Sequence, residues 1–399
     1  MATLRSPPVD GRRWALLSVL AGTMLVDSLE IVLMGVALPS LRDDLGLPVW
    51  QAGLILAGFP LGFGLTLAPG RFLTWRFGRR PVYLGALAAF GLAASVSGLA
   101  TDAVLLTGAE LVKGCCAAVT APVGIAVITT TFGQGSAQKR AMLVYSLFGT
   151  TGATAGMLIS GVLSAASWRW ALLVPLPVVV VLIALGLRHL PPDPAAAPRP
   201  PRLTRALLGT GGVRRAALGA ACLNGTSVGL FVLLNLQLQN GSGWPAWRAA
   251  LVCTPAYLTL AFSVLLAGRL IPRWGTAKPV AAGAVFTAAG CALYLADPSP
   301  GPDGGGVLTT TVLLGLGYLC SFAALNAGAS AGLAPADRPA AGTVLQSAVQ
   351  LGAVLTVIPA TVLLSVEHDL RTALVPMGIA AAAGLAAALT GLRRGAPGT

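Results

Sequence analysis

Twelve apolar stretches, each about 20 residues long, punctuate this chain, and a stretch of that length matches the hydrocarbon core of a bilayer. They fall near 14–38, 51–70, 81–100, 103–130, 141–164, 168–187, 216–238, 248–271, 279–296, 307–333, 341–365 and 372–392. Backbone N–H and C=O groups in lipid must be satisfied within the segment, so each stretch reads as a helix. Only 10% of the 399 residues are charged and 55% are hydrophobic. A soluble domain carries about 25% charged residues, which excludes that class. The 50 glycines suit close approach of helices in lipid.

The 26 lysines and arginines alternate sides. One set of loops and termini holds 21 of them, the other holds only Arg42, Arg169, Arg248 and Arg371, and Lys113 lies inside a stretch. The excess of positive charge marks the cytoplasmic side, so both termini are expected there. The net charge of +13 therefore reports topology, and no nucleic-acid partner is expected. Residues 191–215, rich in Pro and Arg, cannot span and read as a cytoplasmic linker between two six-helix units, 1–190 and 216–399. The halves echo each other. Trp75-Arg76-Phe77-Gly78 follows the second stretch, and Pro272-Arg273-Trp274-Gly275 follows the eighth, as expected of an internal repeat.

Several chemistries find no support. The six cysteines lie in apolar stretches without CxxC or Cys/His spacing, which argues against disulfides and metal. His189 and His368 are far apart and offer no base–nucleophile set. No GxxxxGK[ST] loop occurs, so ATP is not expected to act directly, and neither an enzyme nor a cofactor is expected.

Four charges interrupt the apolar stretches: Asp27 with Glu30, and Glu110 with Lys113. Each pair is spaced by three residues and shares a helix face. A charge at the bilayer centre costs at least about 2.5–3.5 kcal/mol, and such residues line bundle interiors or polar routes. Asp27, Glu30, Glu110 and Lys113 are the candidates for proton coupling. Polar and aromatic side chains recur at helical spacing further on: Asn224, Ser227, Phe231 and Asn235; Tyr318, Phe322 and Asn326; Gln346 and Gln350. These faces must point inward. Mixed amide and aromatic walls suit an amphiphilic organic ligand, so these nine are the candidate substrate contacts. Gly152, Gly156, Ser160 and Ser164 form a small-residue stripe for close helix packing.

The chain resembles the drug:proton antiporters of the major facilitator superfamily, and within them the branch that usually has fourteen helices. The resemblance is carried by Val36-Ala37-Leu38-Pro39-Ser40 with Glu30 nine residues before the proline, by the turn Arg76-Phe77-Gly78-Arg79-Arg80, and by Gly152, Gly156, Ser160 and Gly161. Trp168-Arg169-Trp170, Leu236-Gln237 with Pro255, Asp337-Arg338 and Gln350-Leu351-Gly352 extend it. It implies an all-α polytopic fold of twelve transmembrane helices in two pseudo-symmetric six-helix bundles. It also implies gating by the Arg76–Arg80 turn and a helix-five seam between the halves. The implied work is export of a drug or secondary metabolite in exchange for protons, by a monomer in a bacterial cytoplasmic membrane. A small-metabolite uptake carrier or uniporter, and a non-transporting membrane sensor, remain open. The chain departs from the pattern at Trp75, where an acid is usual; at Met157, which replaces a proline; at Gly35, where Asn is common; and at Glu110, where an arginine is kept.

Overall fold

The computed structural model describes residues 11–133, 135–192, 207, 209–297, 305–335 and 337–395. Among them helices dominate and no strand occurs. The first half consists of α1 (Gly11–Leu45), α2 (Val49–Phe77), α3 (Arg79–Leu99), α4 (Ala103–Phe132), α5 (Ser136–Leu163), α6 (Trp168–Leu173) and α7 (Pro175–His189). The second consists of α8 (Gly211–Leu236), α9 (Ala246–Leu258), α10 (Leu260–Trp274), α11 (Ala277–Ala296), α12 (Gly305–Ser330), α13 (Arg338–Glu367), α14 (Leu370–Ala373) and α15 (Val375–Gly395). A π-helical turn, Gln237–Gly241, extends α8.

Among the described residues eleven passes are long and apolar enough to cross a membrane, with α6–α7 and α14–α15 each forming one. The expected eighth pass is made by two shorter helices, α9 and α10. Pro255 has no N–H to offer the preceding turn, and the Thr259 N–H reaches the Pro255 carbonyl only at 3.4 Å. Thr259 itself keeps helical dihedrals, φ −64° and ψ −26°, so the chain continues in the same direction. Most of the expected linker, 193–206 and 208, lies outside the described residues. Residues 211–215 of that expectation are helical, because α8 begins at Gly211.

The face carrying the start of α1 and the end of α15 is here the terminal face, and the opposite one the distal face. The sequence echo is structural. Gly78 (φ 91°) and Gly275 (φ 69°) both end a helix at the terminal face in a conformation that favours glycine. Each donates its N–H to the helix it terminates, to Thr74 O at 3.1 Å and Ile271 O at 2.9 Å.

Small residues bring the helices together. Gly152, Gly156 and Ser160 on α5 meet Leu25, Leu29 and Leu33 on α1 at the same four-residue spacing. A Cβ at Gly156 would lie 2.8 Å from the Leu29 carbonyl oxygen, and Ser160 donates to the Leu33 carbonyl at 2.9 Å. Gly225 and Gly352 play the same part between α8 and α13. The helix-five stripe thus faces α1 within the first half, not the other half as the family resemblance implies. The reason is geometric: Met157 and Gly161 occupy a different side of α5, and they meet Thr254, Ala250 and Trp247 of α9.

Apolar packing is uneven along the membrane normal. Near the distal face, two clusters mix residues of both halves: Val32, Val36 and Met157 pack with Leu230, Leu234 and Ala250, and Leu33 and Leu38 with Val232, Leu236 and Val357. Near the terminal face each half has its own core, Leu16, Tyr83 and Ile128 in the first, Ala216, Leu325 and Leu345 in the second. There the halves are joined along α2 and α13, through Ser347 to the Gly64 carbonyl at 3.3 Å and Arg71 to Thr343 at 3.5 Å.

Replacing Gly156→Val should overpack the α1–α5 seam and cost about 1–3 kcal/mol. Thermal unfolding in detergent should show a lowered midpoint with far-ultraviolet helix signal unchanged below it.

Candidate functional site

The four intramembrane charges meet inside the first half. Glu30 of α1 and Lys113 of α4 are fully buried, Glu110 is 1% exposed and Asp27 7%. Lys113 Nζ donates a hydrogen bond to Glu30 Oε1 across the α1–α4 contact. It also lies 2.5 Å from Glu110 Oε1, one turn back on its own helix, without the alignment of a hydrogen bond. One ammonium therefore faces two carboxyls, and Glu30 Oε2 has no hydrogen-bond partner among the described residues. Asp27 receives no cation: Thr120 donates to its Oδ2 at 3.0 Å. One turn before Asp27, Thr23 accepts from the fully buried Tyr83 hydroxyl at 2.7 Å. Thr120 escaped the sequence reading, although it follows Lys113 by seven residues and so shares its face of α4.

The polar and aromatic candidates of the second half gather on α8, α12 and α13. Asn224 donates to the Val349 carbonyl at 2.8 Å and accepts from the Tyr318 hydroxyl. Tyr318 and Phe322 have ring centroids 6.0 Å apart. Asn326 is half-buried and donates to the Phe322 carbonyl at 2.8 Å. Ser227 is buried with a hydroxyl that has no partner among the described residues. Gln346 and Gln350 are half-buried on α13, and Gln350 lies beside Gly64 of α2.

Phe231 and Asn235 lie deeper toward the distal face. The Phe231 ring fills the space left by Gly35 on α1, which explains why a larger residue is absent there, and it meets Tyr257 edge-on at 5.4 Å. Asn235 is fully buried, donates to the Phe231 carbonyl at 2.9 Å and accepts from Gln239 at 3.3 Å. Gln239 also donates to the Val36 carbonyl at 3.1 Å, and Asn240 donates to Asp43. The π turn thus aims two amides at α1 and fastens the distal side. Sequence pattern carries no signal for a π turn, so this clasp was not anticipated. No cluster of metal-binding residues occurs among the described residues.

The remaining motif residues sit at the two faces. Arg76 is exposed and stands 5.6 Å over the Phe77 ring. Gly78 makes the turn, and Arg80 donates to the Leu187 carbonyl at 2.6 Å, tying α3 to the end of α7. Arg79 is half-buried at the same turn. At the distal face Asp44 accepts from Trp168 Nε1 at 2.9 Å and from Arg169 at 3.4 Å, linking α1 to α6. Asp369, outside the spans, accepts from Arg371 N–H at 3.2 Å and from the Thr372 hydroxyl at 2.9 Å. The bond from Thr372, first, holds its carboxyl below the usual carboxylate range.

Removing the shared cation is the decisive perturbation of the cluster. Lys113→Met should destabilise the protein by about 3–5 kcal/mol, because buried carboxyls lose their partner. Adding Glu30→Gln should recover part of that loss, read as a double-mutant cycle by thermal unfolding in detergent.

With this geometry in hand, comparison with known proteins is direct. A sequence profile of the Major Facilitator Superfamily matches residues 20–357. The puromycin resistance protein pur8 of Streptomyces alboniger is 29% identical, over 87% of this chain and 81% of that protein. The cephamycin export protein CmcT of Amycolatopsis lactamdurans is 32% identical over 62% of this chain, a match spanning 51% of that protein. Among solved structures, a bacterial homolog of the human lysosomal transporter Spinster superposes with a TM-score of 0.78, at 15% identity, over 96% of this chain and 98% of that one. That likeness shows the fold alone and not a substrate. The profile covers well over half of the sequence, and the chain belongs to the Major Facilitator Superfamily.

Proposed function

We propose that the protein exports amphiphilic organic molecules, drugs or secondary metabolites, in exchange for protons. The observation that carries the reading is the buried Asp27–Glu30–Lys113–Glu110 cluster, three acids and one base in an apolar bundle. Charge held at this depth is expensive and marks a working polar site. The matched relatives, a resistance protein and an export protein, support the outward direction.

The arginine-rich terminal face is the cytoplasmic one by its charge excess, in a bacterial inner membrane. Separate cores on that side and shared cores on the distal side then describe a conformation closed to the outside. Substrate approaches from the cytoplasm and meets the amide and aromatic wall of Asn224, Ser227, Tyr318, Phe322, Asn326, Gln346 and Gln350. Export requires the distal cores to part, together with the bonds from Gln239 and Asn240 to α1. The membrane-buried part of the described second half holds no acid, so the proton is exchanged in the first half. Substrate and proton must favour opposite orientations, a reciprocal coupling that rocking of the two halves transmits. Glycine turns at Gly78 and Gly275 hinge the arginine-bearing loops that gate the cytoplasmic side. The protein carries this out as a monomer and without a cofactor.

Flux through the purified protein in liposomes tests this. An imposed pH gradient should accelerate puromycin movement by about tenfold or more in wild type, and Glu30→Gln should remove the acceleration. The variant should fold, because Lys113 keeps Glu110 as partner. Puromycin movement indifferent to the gradient in wild type would leave the uniporter reading, and binding without movement would leave the sensor.

A further inference from the structure

We infer that the buried polar column Ser97–Glu110–Lys113–Glu30–Asp27 is a proton path from the distal face into the first half, with Glu110 as its entry carboxyl. This rests on the antiport reading above. In the family resemblance, position 110 belongs to an arginine, so the assignment concerns what this chain has put in its place.

Depth along the helices comes first. α4 begins at Ala103 on the distal face, which puts Glu110 about 10 Å in, Lys113 about 15 Å in and Thr120, the partner of Asp27, about 25 Å in. Ser97 lies two residues from the distal end of α3, about 3 Å down. The polar groups therefore descend in order from the distal surface to mid-membrane. Each is close to the next. Ser97 faces Glu110 without closing an aligned bond, Glu110 contacts Lys113 at 2.5 Å, Lys113 donates to Glu30, and Asp27 follows one turn along α1.

Hydrogen-bonding capacity is left over along this line. Ser97 Oγ and Glu30 Oε2 are buried and have no hydrogen-bond partner among the described residues, and Glu110 Oε1 has only its unaligned ion-pair contact with Lys113. Buried polar atoms are nearly always satisfied, and unsatisfied ones in one row ask for a role. Groups facing Glu110 among the described residues include Glu30 from α1, Ser97 from α3, Lys113 on its own helix and the Gly58 backbone of α2. The alternative route between the halves is shut on the distal side by the shared apolar cores.

The transfer balances without any other reactant. Glu110 carboxylate takes a proton arriving past Ser97, forming one O–H bond. Lys113 gives a proton to Glu30, breaking one N–H and forming one O–H, and recovers it from Glu110. Glu30 passes its proton to Asp27, from which it leaves toward the cytoplasm when substrate binding favours the opposite orientation. One proton moves, no electron does, and the column returns to its starting charges.

The test uses the full chain in liposomes with a trapped pH dye and puromycin as probe, wild type beside Glu110→Gln and Ser97→Ala. Glu110→Gln should cut puromycin-driven proton flux at least about tenfold more than it cuts puromycin–puromycin exchange, which moves no net proton. Ser97→Ala, which changes no charge, should slow proton flux in the same selective way. Proton flux in Glu110→Gln equal to wild type overturns the path. If that variant fails to fold, wild-type flux in Ser97→Ala overturns it instead. Absence of puromycin-driven proton flux in wild type is a different result: it removes the antiport reading, and the path with it.

Discussion

The ion pair from Lys113 to Glu30 joins α1 to α4 inside the first half, and it depends on the close packing around it. An ammonium and a carboxylate withdrawn from water repay little as a pair, because desolvation offsets most of their attraction. Their burial holds because the geometry is supplied by something else. The α1–α5 seam of Gly152, Gly156 and Ser160 sets where α1 lies, and the glycine contacts of α2 with α4 set where α4 lies. The charges then meet at a spot already defined by backbone contact.

The distal cores mix residues of both halves and the terminal cores do not, which is the asymmetry that the proposed rocking of the halves would reverse. The seam of α2 against α13 runs from Gly53 opposite Thr361 to Arg71 opposite Thr343, spanning most of the membrane. The seam of α5 against α9 is concentrated at Met157 and Gly161. Polar bonds at the distal end, Asn240 to Asp43 and Gln239 to the Val36 carbonyl, can be exchanged for bonds to water.

Most of the fold was legible because lipid permits so few solutions. Apolar length and the twin Arg-aromatic-Gly turns prescribe helices and repeat without reference to packing. The two acid-containing motifs were legible as charges that must be buried together, because charge is rare at that depth. Packing partners were not. The helix-five stripe was readable as a seam, yet its partner depended on which side of α5 met which neighbour, a property of three dimensions. The break at Pro255 and the π turn at Gln237–Gly241 were missed for a related reason, since a single proline or amide inside an apolar stretch barely alters its hydropathy. Thr120 was within reach of helical periodicity and was passed over because threonine is unremarkable in lipid.

The unequal sharing of charge between the halves bears on how such a protein diversifies. A membrane potential exerts about 2.3 kcal/mol per 100 mV on a unit charge that crosses it, and no force on neutral amides and rings. On the proposed antiport reading, the electrical work of the cycle would fall on α1 and α4, and the uncharged wall on α8, α12 and α13 would take no part in it. Substitutions in that wall would then alter which molecule is held without retuning the energy source, and ligand preference and energy conversion would be separately inheritable traits of one polypeptide.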